Sequence, residues 1–224
     1  MTTGDRLSSP QHSTLDSRHS PATVLLVDDD ASVRKALTRL IKSAGYQVQS
    51  FGSAREFLDA HVVEVVEKAC LVLDVSMPGL NGFDLQKELD AAAAVLPIIF
   101  ITGHGDIPMS VRAMKSGAVD FLPKPVKDKA LMAAIEQALA RADREFSERT
   151  ELASIQRRLA SLTPREREVM ALVVRGFLNK QIAFELGTVE KTVKVHRARV
   201  MEKMAALSLP ELVRLAERAG FGKP

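Results

Sequence analysis

Five short apolar runs, separated by helical patterns, occupy the first 125 residues of the chain. They cover residues 23–27, 46–51, 70–73, 95–101 and 119–122. The segments between them repeat apolar residues every three or four positions, which is typical of amphipathic helices, and two of these segments stop at Gly45 and Gly117. Strands separated by helices of this length require parallel crossovers. This part is therefore predicted to be an α/β domain with a doubly wound parallel sheet.

Polar side chains stand at the ends of four of the five runs. They are Asp28 and Asp29, Asp74, Thr102 and Lys124. Ligands of an open parallel sheet bind beyond the carboxyl ends of its strands, so these side chains are predicted to share one site. Carboxylates this close repel one another unless a cation neutralises them, and Mg²⁺ prefers oxygen ligands. A metal beside a lysine and a threonine favours a phosphoryl group as ligand, although each acid alone could be a helix cap or turn residue.

Charge is distributed unevenly along the chain. Residues 21–128 contain 11 basic and 14 acidic residues, whereas residues 162–224 contain 12 basic and 7 acidic ones. A basic C-terminal part favours a nucleic-acid partner, with a merely solvated basic face as the alternative.

Cys70 is the only cysteine and lies in an apolar run, which predicts a buried thiol. Residues 1–20 lack the apolar core of a secretory signal, and no apolar run is long enough to span a membrane, so we expect a cytoplasmic protein with a disordered N-terminal tail.

The basic part contains four helical segments. Residues 163–166 form a capping box with proline at the first helical position, and residues 208–211 form a second box. Gly187 separates a short helix at 179–186 from a longer one at 190–205, which predicts a helix-turn-helix. On the longer helix, Val195 lies opposite the predicted buried stripe, which consists of Val189, Val193, Val200 and Met204.

Apolar residues at helical spacing connect the two parts, and no glycine or proline lies between residues 126 and 163. The last helix of the α/β domain is therefore predicted to continue as a linker helix. Its apolar face could self-associate as a short coiled coil or pack against its own α/β domain. The predicted organisation is a tail at 1–20, an α/β domain at 21–128, the linker helix at 129–161 and a helical domain at 162–224.

The strand-end motifs read VLLVDDDASVR at 24–34, VLDVSMPGLNG at 72–82, FITGHGD at 100–106 and DFLPKP at 120–125. They resemble the receiver domain of bacterial two-component response regulators, the FixJ branch of the NarL/FixJ class in particular. The resemblance implies a flavodoxin-like sheet with strand order 2-1-3-4-5 and Asp74 as the phosphate acceptor. It also implies that Mg²⁺ binds to Asp28, Asp29, Asp74 and the backbone carbonyl of Ser76.

The same resemblance implies roles for the remaining strand-end residues. Lys124 would contact the phosphoryl group, Thr102 would turn toward it, and Phe121 would change rotamer in response, with an ordinary core aromatic as the alternative for Phe121. The chemistry agrees with the residue types, because phosphoryl transfer to a weak carboxylate nucleophile depends mainly on positioning and charge stabilisation. Asp30 extends the acidic pair, and we expect it to favour the N-terminus of the following helix.

Residues 162–169, 179–183 and 191–197 read LTPREREV, NKQIA and KTVKVHR. They are similar to the LuxR-type DNA-binding domain, which implies a recognition helix at 190–204 in the major groove. A valine among basic residues suits contact with a thymine methyl group. The candidate DNA contacts are Lys180, Lys191, Thr192, Lys194, Val195, Arg197, Ala198 and Arg199.

Together the two resemblances imply a transcription factor switched by phosphorylation and not an enzyme. Its implied partners are a sensor histidine kinase, promoter DNA and RNA polymerase, with a homodimer forming on phosphorylation through Val111, Met114 and Phe121. Two other functions stay open. A phosphatase of the haloacid dehalogenase type would use an Asp-x-Asp motif such as Asp28-x-Asp30, but it leaves Asp74 without a role. A constitutive DNA-binding protein with a degenerate receiver is disfavoured by the intact acids.

Overall fold

A computed structural model describes residues 22–64, 68–103 and 107–222 of the chain. The predicted tail at 1–20 and the end of the third motif at 104–106 lie outside the described residues. The chain divides into two compact units, Met1–Asp143 and Arg144–Pro224. Within the described ranges, no helix combines the length and the apolar character needed to cross a membrane.

Strands and helices alternate along the first unit. The strands are β1 (Thr23–Val27), β2 (Gln47–Phe51), β3 (Ala69–Asp74), β4 (Ile98–Thr102) and β5 (Asp120–Pro123). The helices are α1 (Ala31–Ser43), α2 (Ala54–Asp59), α3 (Gly82–Ala91), α4 (Ile107–Lys115) and the start of α5 (Asp128–Ala160), with a 3₁₀ turn at Val62–Glu64. The predicted α/β class is confirmed.

The described strands form one parallel sheet in the order β2-β1-β3-β4-β5, which the flavodoxin-like resemblance implied. Val27 pairs with Leu73 and Asp74 pairs with Ile101, so β1, β3 and β4 end at one edge of the sheet. Side chains alternate between two cores, as the period of a strand requires. Leu25 faces the core shared with α2, α3 and α4, and its neighbours face the core shared with α1 and α5.

Strand β4 begins three residues later than the predicted run at 95–101. Val95 is 45% exposed, and β4 starts at Ile98 directly after Pro97. Proline has no N–H to donate to a neighbouring strand, which explains why apolar character alone misplaced this boundary. The peptide bond between Lys124 and Pro125 is cis.

Helix α5 runs for 33 residues without interruption. Its first turns contribute Leu131, Ile135 and Leu139 to the core of the first unit, so that part of the helix packs on its own sheet. Its last turns contribute Ile155 and Leu159 to the core of the second unit. No side chain between residues 143 and 154 is fully buried. Self-association of this middle segment stays a prediction.

The second unit is helical in its described part, with the end of α5 followed by α6 (Pro164–Val174), α7 (Asn179–Glu185), α8 (Glu190–Met204) and α9 (Leu209–Arg218). The predicted capping box at α6 is confirmed, because Thr163 accepts from the Glu166 N–H and the Glu166 carboxylate accepts from the Thr163 N–H at 2.9 Å. The second box is only half correct. Ser208 caps α9, but the Glu211 carboxylate accepts from the N–H of Leu207 instead of Ser208.

Three of the four residues in the predicted stripe on α8 are completely buried: Val193, Val200 and Met204. Val189 is 64% exposed, so its assignment to the core was wrong. It precedes α8 as the N-cap residue with extended backbone, and its side chain therefore does not follow the angular spacing of the helix. Gly187, with φ +60°, makes the turn between α7 and α8.

Candidate functional site

Three carboxylates meet at the carboxyl edge of the sheet. Oxygens of Asp28, Asp29 and Asp74 lie within 4.8 Å of one another. Asp28 follows β1, and Asp74 is the last residue of β3, so the parallel register brings them together. Asp28 and Asp74 are buried, whereas Asp29 is exposed. The arrangement concentrates negative charge at one point that is open on the side of Asp29.

The ammonium of Lys124 lies between the two buried carboxylates. Lys124 Nζ is 2.7 Å from Asp28 Oδ2 and 2.6 Å from Asp74 Oδ2. Burial raises the pKa of Asp28, against the opposing attraction of Lys124. Burial alone would lower the pKa of Lys124, but its contacts with the two carboxylates outweigh that effect and raise it. Lys124 is therefore charged at neutral pH and neutralises part of the cluster.

The loop after β1 is held by local hydrogen bonds. Asp30 Oδ1 accepts from the N–H groups of Ser32 and Val33, which caps α1 and lowers the pKa of Asp30. The expected helix role of Asp30 is thereby confirmed. Arg34 Nη1 donates to the backbone carbonyl of Asp28 at 2.7 Å. Sequence reasoning missed Arg34, because a cation on the first turns of a helix has many ordinary explanations.

The other predicted site residues surround the acids at different depths. The Ser76 N–H donates to Asp74 Oδ1 at 3.1 Å, and its side chain is exposed. Thr102, the last residue of β4, is completely buried. Phe121 on β5 is half-buried and packs at the border of the core beside α4. Val111 and Met114 are exposed on α4 and do not belong to the acidic cluster.

Gly82 lets the start of α3 approach the end of β3 closely. A Cβ at this position would lie 2.5 Å from the backbone oxygen of Asp74 and 3.0 Å from Cα of Val75. Neither neighbour is a flexible side chain, so any larger residue must displace the backbone. The absence of a side chain at Gly82 therefore allows the N-terminus of α3 to pack directly against the backbone of Asp74.

The acidic cluster fits a hard divalent cation. Its donors are all carboxylate oxygens, and such ions prefer oxygen ligands. Apart from the ion pair with Lys124, Asp28 Oδ2 is buried without a hydrogen-bond partner among the described residues. A buried carboxylate oxygen with spare capacity is a group that a metal ion would satisfy.

Seven of the candidate DNA contacts lie on α8, and Lys180 lies on α7. Lys194 Nζ pairs with Glu190 at 3.3 Å, and Val195 is 47% exposed. Arg197 Nη1 donates to Asn179 Oδ1 at 3.1 Å, which ties α8 to the start of α7. The remaining candidates divide into exposed residues and one half-buried residue, Thr192; the exposed ones are Lys180, Lys191, Ala198 and Arg199.

The C-terminal end of α8 is anchored by charged contacts that periodicity does not reveal. Lys203 Nζ lies 2.7 Å from Glu166 Oε2 and 3.1 Å from the Ser161 carbonyl. Arg158 on α5 donates to the Met204 carbonyl at 3.1 Å. The Lys203 ammonium and the Thr163 N–H lower the pKa of Glu166 to about 2. These contacts fix the orientation of α8 in its unit.

A parallel sheet that carries an acidic cluster and a lysine at its carboxyl edge, with a helix-turn-helix unit after it, defines a response regulator with a DNA-binding output domain. Residues 24–136 match the response regulator receiver domain family, and residues 160–216 match the luxR family of bacterial regulatory proteins. The chain belongs to the response regulators of the NarL/FixJ class.

Close relatives and solved structures agree with this assignment. The chain is 50% identical over 200 residues to nodulation protein W of Bradyrhizobium diazoefficiens, covering 89% of this chain and 87% of that one. It is 46% identical to the transcriptional regulatory protein FixJ of Azorhizobium caulinodans, with 88% and 92% covered. The structure of the response regulator StyR aligns with a TM-score of 0.81 and 48% identity, over 89% of this chain and all of the other.

The family also establishes the general function. The chain is a two-component transcription regulator that combines a receiver domain with a LuxR-type DNA-binding domain. Its family implies a sensor kinase as one partner and DNA as the other.

Proposed function

We propose that Asp74 accepts a phosphoryl group from a sensor histidine kinase, and that phosphorylation controls sequence-specific DNA binding through α8. The contact that carries this proposal is the one between Lys124 Nζ and Asp74 Oδ2 at 2.6 Å. It places a cation beside a buried carboxylate at the end of a parallel strand. The same ammonium would contact the oxygens of a phosphoryl group attached to that carboxylate.

The chemistry follows from the residues around Asp74. A carboxylate oxygen of Asp74 attacks phosphorus in line, and the bond from phosphorus to the donor breaks as the acyl phosphate forms. Asp28, Asp29, Asp74 and the Ser76 carbonyl would hold Mg²⁺. When bound, Mg²⁺ supplies positive charge that offsets the charge of the phosphoryl oxygens. Lys124, directly after β5, contributes a second cation at the same edge of the sheet.

The switch would act through β4 and β5. The Thr102 hydroxyl would hydrogen-bond the phosphoryl group, and the movement of its loop would open space for Phe121 to turn inward. Both changes lie beside α4, whose exposed Val111 and Met114 would then join the homodimer surface with Phe121. A two-fold dimer would set two copies of α8 on paired DNA half-sites.

Base and phosphate contacts would divide along α7 and α8. As the LuxR-type resemblance implies, Lys194, Val195 and Ala198 would face bases, with Thr192 and Arg199 beside them. Lys180, Lys191 and Arg197 would contact phosphates. With promoter DNA as its partner, the protein would act in the cytoplasm and could contact RNA polymerase there.

Phosphate-affinity gel mobility tests the proposal directly. Wild type and Asp74→Asn are incubated with Mg²⁺ and a small acyl phosphate donor, and circular dichroism checks that both are folded. An acid-stable, alkali-labile shifted band in wild type alone supports phosphorylation of Asp74. A band that survives in Asp74→Asn but disappears in Asp28→Asn would instead favour the phosphatase chemistry. Operator affinity that is equal with and without the donor would exclude the switch.

A further inference from the structure

An open cavity of about 430 Å³ lies between the loop that follows β3 and the first turns of α4. Its walls are mostly apolar and come from Val75, Phe83, Pro108 and Met109. None of the three clustered aspartates lines it, but Ser76, which adjoins the acidic site, does. Cavities of this volume accommodate small organic molecules.

Arg112 supplies the positive charge of this cavity. Its guanidinium carbon lies 4.5 Å from the centroid of the Phe83 ring, so the cation stacks on one wall. In the described part of the chain, no carboxylate forms an ion pair with Arg112. The charge of Arg112 helps to lower the pKa of Asp84, but the Asp84 carboxylate already forms an ion pair with Lys87 Nζ at 2.9 Å. It also accepts a hydrogen bond from Asn81 Nδ2 at 2.6 Å. The guanidinium is therefore available to an anion from outside.

We propose that this cavity binds a small aromatic carboxylate. The carboxylate would pair with the planar guanidinium of Arg112, which matches it with two parallel N–H groups. The aromatic ring would lie against Phe83, Pro108 and Met109, whose flat or adaptable surfaces suit a planar apolar group. Among the described residues of the lining, apolar side chains beside the Arg112 cation favour this ligand over sugars and cations.

The position of the cavity couples this ligand to the proposed switch. Ser76 lies in the cavity wall, and its N–H donates to Asp74 Oδ1 at 3.1 Å. The opposite wall is α4, which also carries Val111 and Met114. A ligand in the cavity would therefore touch both the loop of the phosphoacceptor and the helix of the proposed dimer surface. This coupling rests on the proposed function, whereas binding itself does not.

Calorimetric titration of the full chain with benzoate tests the proposal. Benzamide, with the same shape but no charge, is expected to bind at least tenfold more weakly. Arg112→Gln should weaken benzoate binding about tenfold and leave benzamide unchanged, with Arg112→Lys between the two. Arg39→Gln removes an exposed arginine from α1 and is the matched control. It should bind benzoate as wild type does.

Nuclear magnetic resonance of ¹³C-labelled methionine methyl groups locates the ligand. Benzoate should shift the methyl signal of Met109, identified by its loss in Met109→Leu. The same shift should appear in Asp74→Asn, so that failure of phosphorylation and failure of ligand binding are separate results. The proposal is overturned if benzoate leaves the Met109 signal in place, if benzamide binds as tightly as benzoate, or if Arg112→Gln binds benzoate as well as Arg39→Gln does.

Discussion

Lys124 and Asp74 form an ion pair of 2.6 Å although 50 residues separate them in the chain. The ammonium comes from the loop after β5, and the carboxylate is the last residue of β3. Because Lys124 also contacts Asp28 at 2.7 Å, one side chain balances two buried carboxylates. The partial neutralisation of Asp28 and Asp74 by Lys124 therefore limits how strongly these carboxylates attract another cation.

Lys124→Gln should therefore bind Mg²⁺ more tightly than wild type. Removal of the ammonium leaves two buried carboxylates in mutual repulsion, which a divalent ion relieves, and we expect affinity to rise roughly three- to tenfold. Calorimetric titration with MgCl₂ measures the change. Lys127→Gln, which removes an exposed neighbouring lysine, should have no effect. Weaker Mg²⁺ binding in Lys124→Gln would show that the lysine does not compete with the metal.

Gly82→Ala should destabilise the first unit and displace Asp74. The new Cβ would meet the Asp74 backbone oxygen at 2.5 Å, so we expect a loss of about 1–3 kcal/mol in the free energy of unfolding. Urea denaturation followed by circular dichroism measures it. Gly103→Ala is the control, because nothing lies within 4 Å of its Cβ position. Equal stability of the two variants would contradict the close approach.

Glu166→Gln should destabilise the helical unit by about 1.5–3 kcal/mol at neutral pH. Glutamine preserves the capping box but loses the charged contact with Lys203. Glu168→Gln breaks an exposed pair with Arg165 and should cost about 0.5 kcal/mol or less. Thermal unfolding of the three proteins provides the comparison.

The effect of Glu166 should depend on pH in a defined direction. Its pKa is lowered from 4.5 to about 2, so the ionised carboxylate stabilises the folded unit. That stabilisation is complete above pH 4.5 and is lost as the pH falls toward 2. The difference in stability between wild type and Glu166→Gln should shrink across this interval. A constant difference from pH 7 to pH 2.5 would assign the effect to packing.

Lys180→Ala should weaken binding to every DNA sequence alike. Loss of one phosphate contact is expected to reduce the slope of log affinity against log salt concentration by about 0.9. Fluorescence anisotropy with a selected operator and a scrambled duplex, at several salt concentrations, measures both quantities. A loss confined to the operator would mean that Lys180 reads bases.

Lys194→Ala should reduce discrimination between operator and scrambled DNA. A lost base contact is expected to cost about 1–3 kcal/mol on the operator alone. Glu190→Gln frees Lys194 from its 3.3 Å ion pair and should strengthen binding, since no charge then competes for the ammonium. If Lys194→Ala weakens both duplexes equally, its contact is with phosphate.

The acidic cluster could be located from sequence because its residues directly follow apolar runs. Asp74 closes β3 and Thr102 closes β4, and parallel strands end at one edge. Boundaries that depend on backbone hydrogen bonds were harder to predict. Proline delays β4 to Ile98, and the extended backbone of Val189 turns it away from the core.

Contacts between residues far apart in the chain could not be predicted from the local sequence pattern. Glu166 and Lys203 are 37 residues apart, and Arg112 meets Phe83 across two different helices. In the sequence alone, each of these charged residues is indistinguishable from an ordinary surface residue of an amphipathic helix. Only the packing of the helices decides which cation meets which partner.

Cys70 offers a practical advantage for spectroscopy. It is the only cysteine in the chain, and burial raises its pKa to about 12, so its thiol remains protonated and shielded at neutral pH. A second cysteine engineered at an exposed position such as Arg39 would react with maleimide dyes on its own. The surroundings of a dye at that position can then be followed without first removing the native residue.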